Sequence, residues 1–240
     1  MRCYTAPMID HEWSRAIGKR ADGPPASQRL GVLGGSFDPV HVGHMIVAEI
    51  LRHRLDLDRV IVLPAGRPPH KPSRVLASDE DRVTMLELSF DGAPHFEIST
   101  IDLDRPGWSY TSDSLRLIRE QQSGDCELVF LMGQDSLRDF PNWHRPDLIV
   151  QQAHLGVARR PDVEVSVESV HEAVPETRGR ITLVDIPLIG ISSRGIRASI
   201  RAGGPFRFQV VPAVADYIEA NGLYLETDTI PEQATHSPLG

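Results

Sequence analysis

The stretch GVLGGSFDPVHVGHM, from Gly31 to Met45, sets glycines and a proline around two histidines three residues apart, directly behind an apolar run. Leu30-Gly31-Val32-Leu33 reads as a short buried strand. From His44 to Leu55, the apolar residues Ile46, Val47, Ile50, Leu51 and Leu55 recur at helical spacing. Gly34-Gly35 therefore falls in the first loop after a strand. Glycine has no Cβ, so the backbone can turn sharply there and a ligand can come close. Pro39 fixes φ and sets up the following turn. His41 and His44 stand at a helix start, on one face, beside N–H groups that no turn of helix satisfies. Such a terminus attracts phosphate. Imidazoles placed there donate hydrogen bonds to phosphate oxygens, most strongly when protonated. The competing account is a tight strand–helix turn with two surface histidines. The string is neither a Walker A loop nor GxGxxG.

Downstream, apolar runs alternate with helical patterns. Strands are expected at Arg59–Leu63, Phe96–Leu103, Glu127–Leu131, Leu155–Ala158 and Ile181–Val184. Ser78 with Asp81 has the form of a capping box, opening a helix that runs through Leu88. Further helices are expected at Thr111–Gln121, Arg194–Arg201 and Ala213–Ala220, the last ended by Asn221-Gly222. This alternation predicts an α/β fold: a Rossmann-like, doubly wound parallel sheet with helices on both faces, in one domain with a small C-terminal helical part. Sheets of this kind place ligands at the carboxyl ends of their strands, where the strand order reverses.

The domain is expected over residues 29–225. Residues 1–28 read as a loose N-terminal extension, because they include Gly23-Pro24-Pro25 and carry no sustained period; residues 226–240 read as a polar tail. The 240-residue chain is 40% hydrophobic and 24% charged, ordinary for a soluble globular protein. Its net charge of -8 argues against general nucleic-acid or membrane-surface binding. No apolar run approaches the roughly 18 residues of a membrane span. The start has no hydrophobic signal segment, so a cytoplasmic location is expected. The two cysteines, Cys3 and Cys126, read as one exposed and one packed thiol, with no Cys/His metal cluster. Nothing fixes the number of copies, and a homo-oligomer stays open.

A second phosphate signal lies late in the chain, in Ile191-Ser192-Ser193-Arg194-Gly195-Ile196-Arg197. Serine hydroxyls and free N–H groups at a helix start form an anion cradle, and Arg197 lies one turn in. A plain serine cap with solvated arginines is the competing account. Together, His41-Val42-Gly43-His44 and Ser192-Ser193-Arg194-Gly195-Ile196-Arg197 resemble the two markers of the nucleotidylyltransferases. Smaller pieces narrow the resemblance to the nicotinate mononucleotide adenylyltransferases: Pro69-His70-Lys71-Pro72, the helix from Asp79 to Leu88, Trp108 to Leu115, Phe130 to Ser136, Trp143-His144-Arg145 and Ala158-Arg159-Arg160-Pro161. They run in family order from about Leu30 to Tyr224. The chain departs from the family at Ser36, where threonine is usual, and at Arg194-Gly195, which replaces a threonine and an acid.

The resemblance implies transfer of the adenylyl group of ATP to nicotinate mononucleotide, giving deamido-NAD and pyrophosphate, with Mg²⁺ accompanying ATP. It implies catalytic roles for His41, His44 and Arg197. It implies ATP-binding roles for Gly35, Ser36, Phe37, His41, His44, Asp135, Arg159, Ser192, Ser193 and Arg197. Lys71, Thr111 and Trp143 are implied at the substrate. For several of these a structural role competes: a solvated loop lysine at Lys71, a core tryptophan at Trp143, a helix cap at Asp135 and a surface arginine at Arg159. The competing functions are the same chemistry on nicotinamide mononucleotide or phosphopantetheine, and a non-catalytic nucleotide-binding regulator.

Overall fold

The structure, a computed structural model, describes residues 28–67, 77–122, 125–161 and 165–225. Six strands form one sheet: β1 (Gln28–Gly35), β2 (Arg59–Pro64), β3 (Phe96–Ile98), β4 (Cys126–Gly133), β5 (Ala153–Arg159) and β6 (Ile181–Asp185). Their order is β3-β2-β1-β4-β5-β6, and every neighbouring pair is parallel. The helices are α1 (Val42–Arg54), α2 (Asp79–Phe90), α3 (Thr111–Gln121), α4 (Gln134–Asp139), α5 (Pro146–Gln152), α6 (Val167–Ala173), α7 (Ser193–Arg201) and α8 (Pro212–Ala220).

Side chains alternate across a strand, and here the alternation divides the core. Leu30 and Val32 of β1 pack on the face covered by Leu115 of α3, Leu137 of α4, Ile149 of α5 and Val170 of α6. Leu33 packs on the other face, with Ala48 and Leu51 of α1, Met85 of α2, Ile196 of α7 and Val214 of α8. The sheet is thus doubly wound, as expected, and the late helices share the core of α1 and α2. The order runs β1-β2-β3 one way and β4-β5-β6 the other, so the crevice opens between the carboxyl ends of β1 and β4.

Local chemistry explains the element ends. Ser78 Oγ accepts the Asp81 N–H at 3.0 Å while Asp81 Oδ2 accepts the Ser78 N–H at 3.2 Å, a reciprocal cap on α2. α3 spans Thr111–Gln121, as expected. Cys126 is a buried free thiol, the packed one; Cys3 lies outside the described residues.

Several boundaries differ from expectation. β1 begins at Gln28, so Arg29 belongs to the sheet: its N–H bonds Asp58 Oδ2 at 2.7 Å and its guanidinium meets Glu127 at 2.9 Å. β3 stops at Ile98, because the Thr100 carbonyl takes the N–H groups of Leu103 and Asp104 in a turn. Ile46, expected on the buried face of α1, is 42% exposed. The short helices α4, α5 and α6 have no counterpart among the helices expected from the sequence.

Candidate active site

The loop from Ser36 to His41 joins β1 to α1 at the crevice. Phe37 has φ 47, a left-handed conformation uncommon for a side chain of this size. Its ring folds back beneath Gly35, where an added Cβ would lie 2.9 Å from the ring. A Cβ at Gly43 would lie 3.0 Å from His41 Nδ1. These two glycines therefore make room first for the motif's own rings. Phe37 is only 2% exposed, edge-on to His44 with centroids 5.1 Å apart. Its ring packs beneath the loop and lines neither chamber of the cleft, whereas the sequence reading expected it at ATP.

The loop is held from behind by side chains of distant elements. Arg82 of α2, wholly buried, donates Nη1–H to the Ser36 carbonyl at 2.9 Å and Nη2–H to Asp79 Oδ1 at 2.6 Å. Ser193 of α7 donates its hydroxyl to the Pro39 carbonyl at 2.9 Å. Arg197 donates Nη1–H to the Asp38 carbonyl at 2.6 Å, and the same nitrogen stands 3.7 Å from the Asp38 carboxylate. Asp38, 1% exposed, also accepts the Ala77 N–H at 3.2 Å and the Tyr224 hydroxyl at 2.8 Å, both on Oδ1. Ser192 caps α7, accepting the Gly195 N–H at 3.1 Å. The second motif thus serves the first mechanically.

The two histidines form a unit. Their rings stack with centroids 3.7 Å apart, and the His41 N–H donates to His44 Nδ1 at 3.3 Å. A neutral His44 accepting at Nδ1 carries its proton on Nε2, a donor. Burial holds His41 down to about 4; burial and then the neighbouring His41 hold His44 down to about 3. Both rings are neutral at pH 7 in the free protein. His41 Nδ1 is buried with no protein partner.

The cleft has two chambers. The larger, about 450 Å³, is bounded by Tyr110 and Thr111 at the start of α3 and by His144. Tyr110 and His144 lie ring to ring at 4.1 Å. Beside them Asp102 is 5% exposed; burial raises its carboxyl, opposed by the Ser114 hydroxyl at 2.7 Å and Arg105 at 2.9 Å. Arg105 also donates to the Tyr110 carbonyl at 3.3 Å, which fixes the entry to α3. The smaller chamber, about 290 Å³, is bounded by Gly43, His44, Asp135, Arg160, Ile189 and Ile191. Gly34, Phe130, Ser136 and Trp143 border both.

The sequence-predicted residues distribute unevenly. Gly35, Ser36, Thr111 and Trp143 line the larger chamber; His44, Asp135 and Trp143 line the smaller. His41, at the end of the loop, and Ser192, Ser193 and Arg197, at the start of α7, line neither. Arg159, expected at ATP, lines neither chamber and pairs with Asp185 at 2.5 Å on the adjoining strand. Its neighbour Arg160 faces the chamber instead, with Nη2 2.7 Å from Asp135. Lys71 lies outside the described residues.

A model of the cytidylyltransferase-like family matches residues 32–199, a span that holds both motifs. A protein of Thermomicrobium roseum, named "Probable nicotinate-nucleotide adenylyltransferase", is 50% identical over 88% of this chain and 99% of its own length. The chain belongs to the nicotinate-nucleotide adenylyltransferase family. A member from Roseiflexus castenholzii, with the same name, is 41% identical over 82% of this chain and 98% of its own length. A solved structure of Plasmodium falciparum nicotinic acid mononucleotide adenylyltransferase, complexed with NaAD, shares the fold with TM-score 0.66. At 19% identity it covers 82% of this chain and 97% of that one.

The segments that carry the resemblance contain Arg82, Asp38, Arg160 and His144, but the resemblance implies no role for these four residues. Arg82 sits inside the helix quoted for the resemblance, and Asp38 inside the opening string. Their work is visible only once partners far away in sequence are placed beside them.

Proposed function

We propose that the chain transfers the adenylyl group of Mg-ATP to nicotinate mononucleotide, releasing pyrophosphate and forming deamido-NAD for NAD biosynthesis. The observation that carries this reading is the pair of chambers meeting at Gly34, beside His44. A transfer between two nucleotides needs two binding spaces with one shared edge. The smaller chamber suits the adenosine of ATP, with Asp135 and Arg160 at its polar side. The larger suits the acceptor, whose pyridine ring finds the indole face of Trp143 and a donor in Thr111.

An oxygen of the acceptor phosphate attacks the α-phosphorus in line. The bond from that phosphorus to the bridging oxygen breaks, and pyrophosphate leaves with the electron pair. No covalent enzyme intermediate is required, so catalysis is alignment plus stabilisation of developing charge. His44 Nε2–H donates to the phosphates, and His41 backs it. Ser193 and Arg197 hold the loop that carries the histidines through the Pro39 and Asp38 carbonyls, and Ser192 caps α7 beside it. Among the described residues no cluster of three His, Cys, Asp or Glu side chains is placed to hold a metal. Mg²⁺, which keeps several waters and binds through phosphate oxygens, fits such a site as part of the Mg-ATP substrate.

We place the protein in the cytoplasm. Its substrates are dissolved anions, and no helix among the described residues is long and apolar enough to cross a membrane. Residues 29–225 act as one catalytic unit in this reading.

The test is an acceptor panel with saturating Mg-ATP, following pyrophosphate. A ring carboxylate takes charge-assisted hydrogen bonds, roughly twice as strong as neutral ones, whereas the amide leaves a buried donor unpaired at about 1–3 kcal/mol. The acid form is expected to be preferred at least about tenfold in kcat/KM, since about 1.4 kcal/mol is a factor of ten. Equal use of acid and amide overturns the nicotinate assignment; no pyrophosphate with any acceptor returns the regulator.

A further inference from the structure

We propose that Tyr224 is a positioning residue for adenylyl transfer, acting on the phosphate loop through the buried carboxylate of Asp38. The inference rests on the transfer reading above and adds the C-terminal end of the domain to the catalytic machinery.

The geometry is specific. Tyr224 lies past the end of α8, 186 residues from Asp38 in sequence, with its hydroxyl 2.8 Å from Asp38 Oδ1. Both residues are buried, at 7% and 1% exposure. Tyr224 has φ 68, a left-handed conformation that a bulky side chain adopts only when its surroundings impose it. The backbone is therefore bent unfavourably just where the hydroxyl reaches the carboxylate. A carboxylate removed from water needs donors from every side. Asp38 receives them on Oδ1 from the Ala77 backbone and Tyr224, while the Arg197 guanidinium stands 3.7 Å from Oδ2 as its ion-pair partner.

What Asp38 anchors gives the contact a catalytic consequence. Asp38 is the apex of a loop whose flanking carbonyls, on Ser36 and Pro39, are already tied to Arg82 and Ser193. Two residues beyond Pro39 stands His41, whose N–H fixes the orientation of His44. A shift at the apex is transmitted to the histidine pair because little else in the loop can absorb it. The Tyr224 hydroxyl thus helps to aim the His44 donor without touching substrate.

Tyr217→Phe supplies the control. Tyr217 of α8 donates its hydroxyl to Asp81 Oδ1, also at 2.8 Å, but that carboxylate accepts the Ser78 N–H and hydroxyl at the start of α2 instead of a donor from the loop. Tyr224→Phe, Tyr217→Phe and the parent are compared by thermal melt and by pyrophosphate release with Mg-ATP and nicotinate mononucleotide, well below every melting temperature. The expected result is a fall in kcat of about tenfold for Tyr224→Phe, within the hundredfold that a misplacement of about 1 Å can cause. Its KM for ATP stays within about threefold, and Tyr217→Phe keeps the parental kcat. A parental kcat for Tyr224→Phe overturns the proposal, and so does an equal fall in both variants, which would mark general loosening. If Tyr224→Phe does not fold, Asp38→Asn carries the test, and a parental kcat there overturns it equally. A parent that releases no pyrophosphate sinks the transfer reading instead, which keeps the two failures distinct.

Discussion

His41 and His44 are stacked face to face, and the backbone N–H of the first fixes the ring nitrogen of the second. The pair therefore presents one oriented donor, Nε2–H of His44, beside the smaller chamber. His44→Ala is expected to fold and to lose about 10²–10³ in turnover, the usual cost of removing one donor to developing charge. Thermal melts and pyrophosphate release on purified proteins check this. Near-parental turnover would remove His44 from its role.

The same burial makes the fold acid-sensitive. Unfolded histidine titrates near 6.5, while folded His41 and His44 titrate near 4 and 3. Between those values the unfolded chain binds protons that the folded chain refuses, so stability falls as pH drops below about 6.5 and is complete above it. The melting temperature is expected to decline between pH 6.5 and 4, less steeply in His44→Gln, which cannot titrate. Identical pH profiles for variant and parent would show that His44 is not held neutral by the fold.

Arg159 and Arg160 are neighbours with opposite assignments. Arg160→Ala is expected to raise KM for ATP several-fold, because it opens the polar side of the smaller chamber. Arg159→Ala removes only an exposed pair with Asp185, a kind of contact worth about 0–1 kcal/mol. Its kinetic constants should match the parent. Steady-state kinetics with ATP varied separates the two, and the reverse ranking would restore Arg159 to the cleft.

Deleting residues 1–27 is expected to leave turnover within a few-fold. Deleting two more removes Arg29, with its bonds to Asp58, Glu127 and the Leu55 carbonyl. The longer truncation is expected to melt several degrees lower, since about 1 kcal/mol shifts a domain of this size by roughly 2–4 °C. Equal melting temperatures would show that Arg29 contributes nothing.

The parts of the fold that were legible in the sequence are those fixed by local pattern. Ser78 and Asp81 announced α2 because capping is a contact between near neighbours, and Thr111–Gln121 has a length over which a period can be counted. The helices α4, α5 and α6 have six or seven residues, too few for a period to stand out. The end of β3 depended on a turn at Thr100 that competes with further pairing. The site divides in the same way. His44, Thr111 and Trp143 could be placed from motifs. Whether Arg159 or Arg160 faces the cleft depends on the pleat of β5 and the strand beside it. The burial of Phe37 depends on a left-handed turn that its residue type disfavours. Asp38 gained its importance from Ala77, Arg197 and Tyr224, contacts that no local window contains.

Trp143 forms a wall common to both chambers, half-buried, with Phe130 and Phe140 at ring distances of 5.9 and 5.6 Å. In the proposed reading each nucleotide meets this indole on arrival, and the indole is a chromophore. Its emission should respond once to Mg-ATP alone and again to the acceptor. Trp13 and Trp108 supply the remaining indole emission, and a Trp143→Phe variant shows which part of the response is Trp143's own. The order in which the two nucleotides bind can then be followed by light, in the unlabelled protein and before any bond is made.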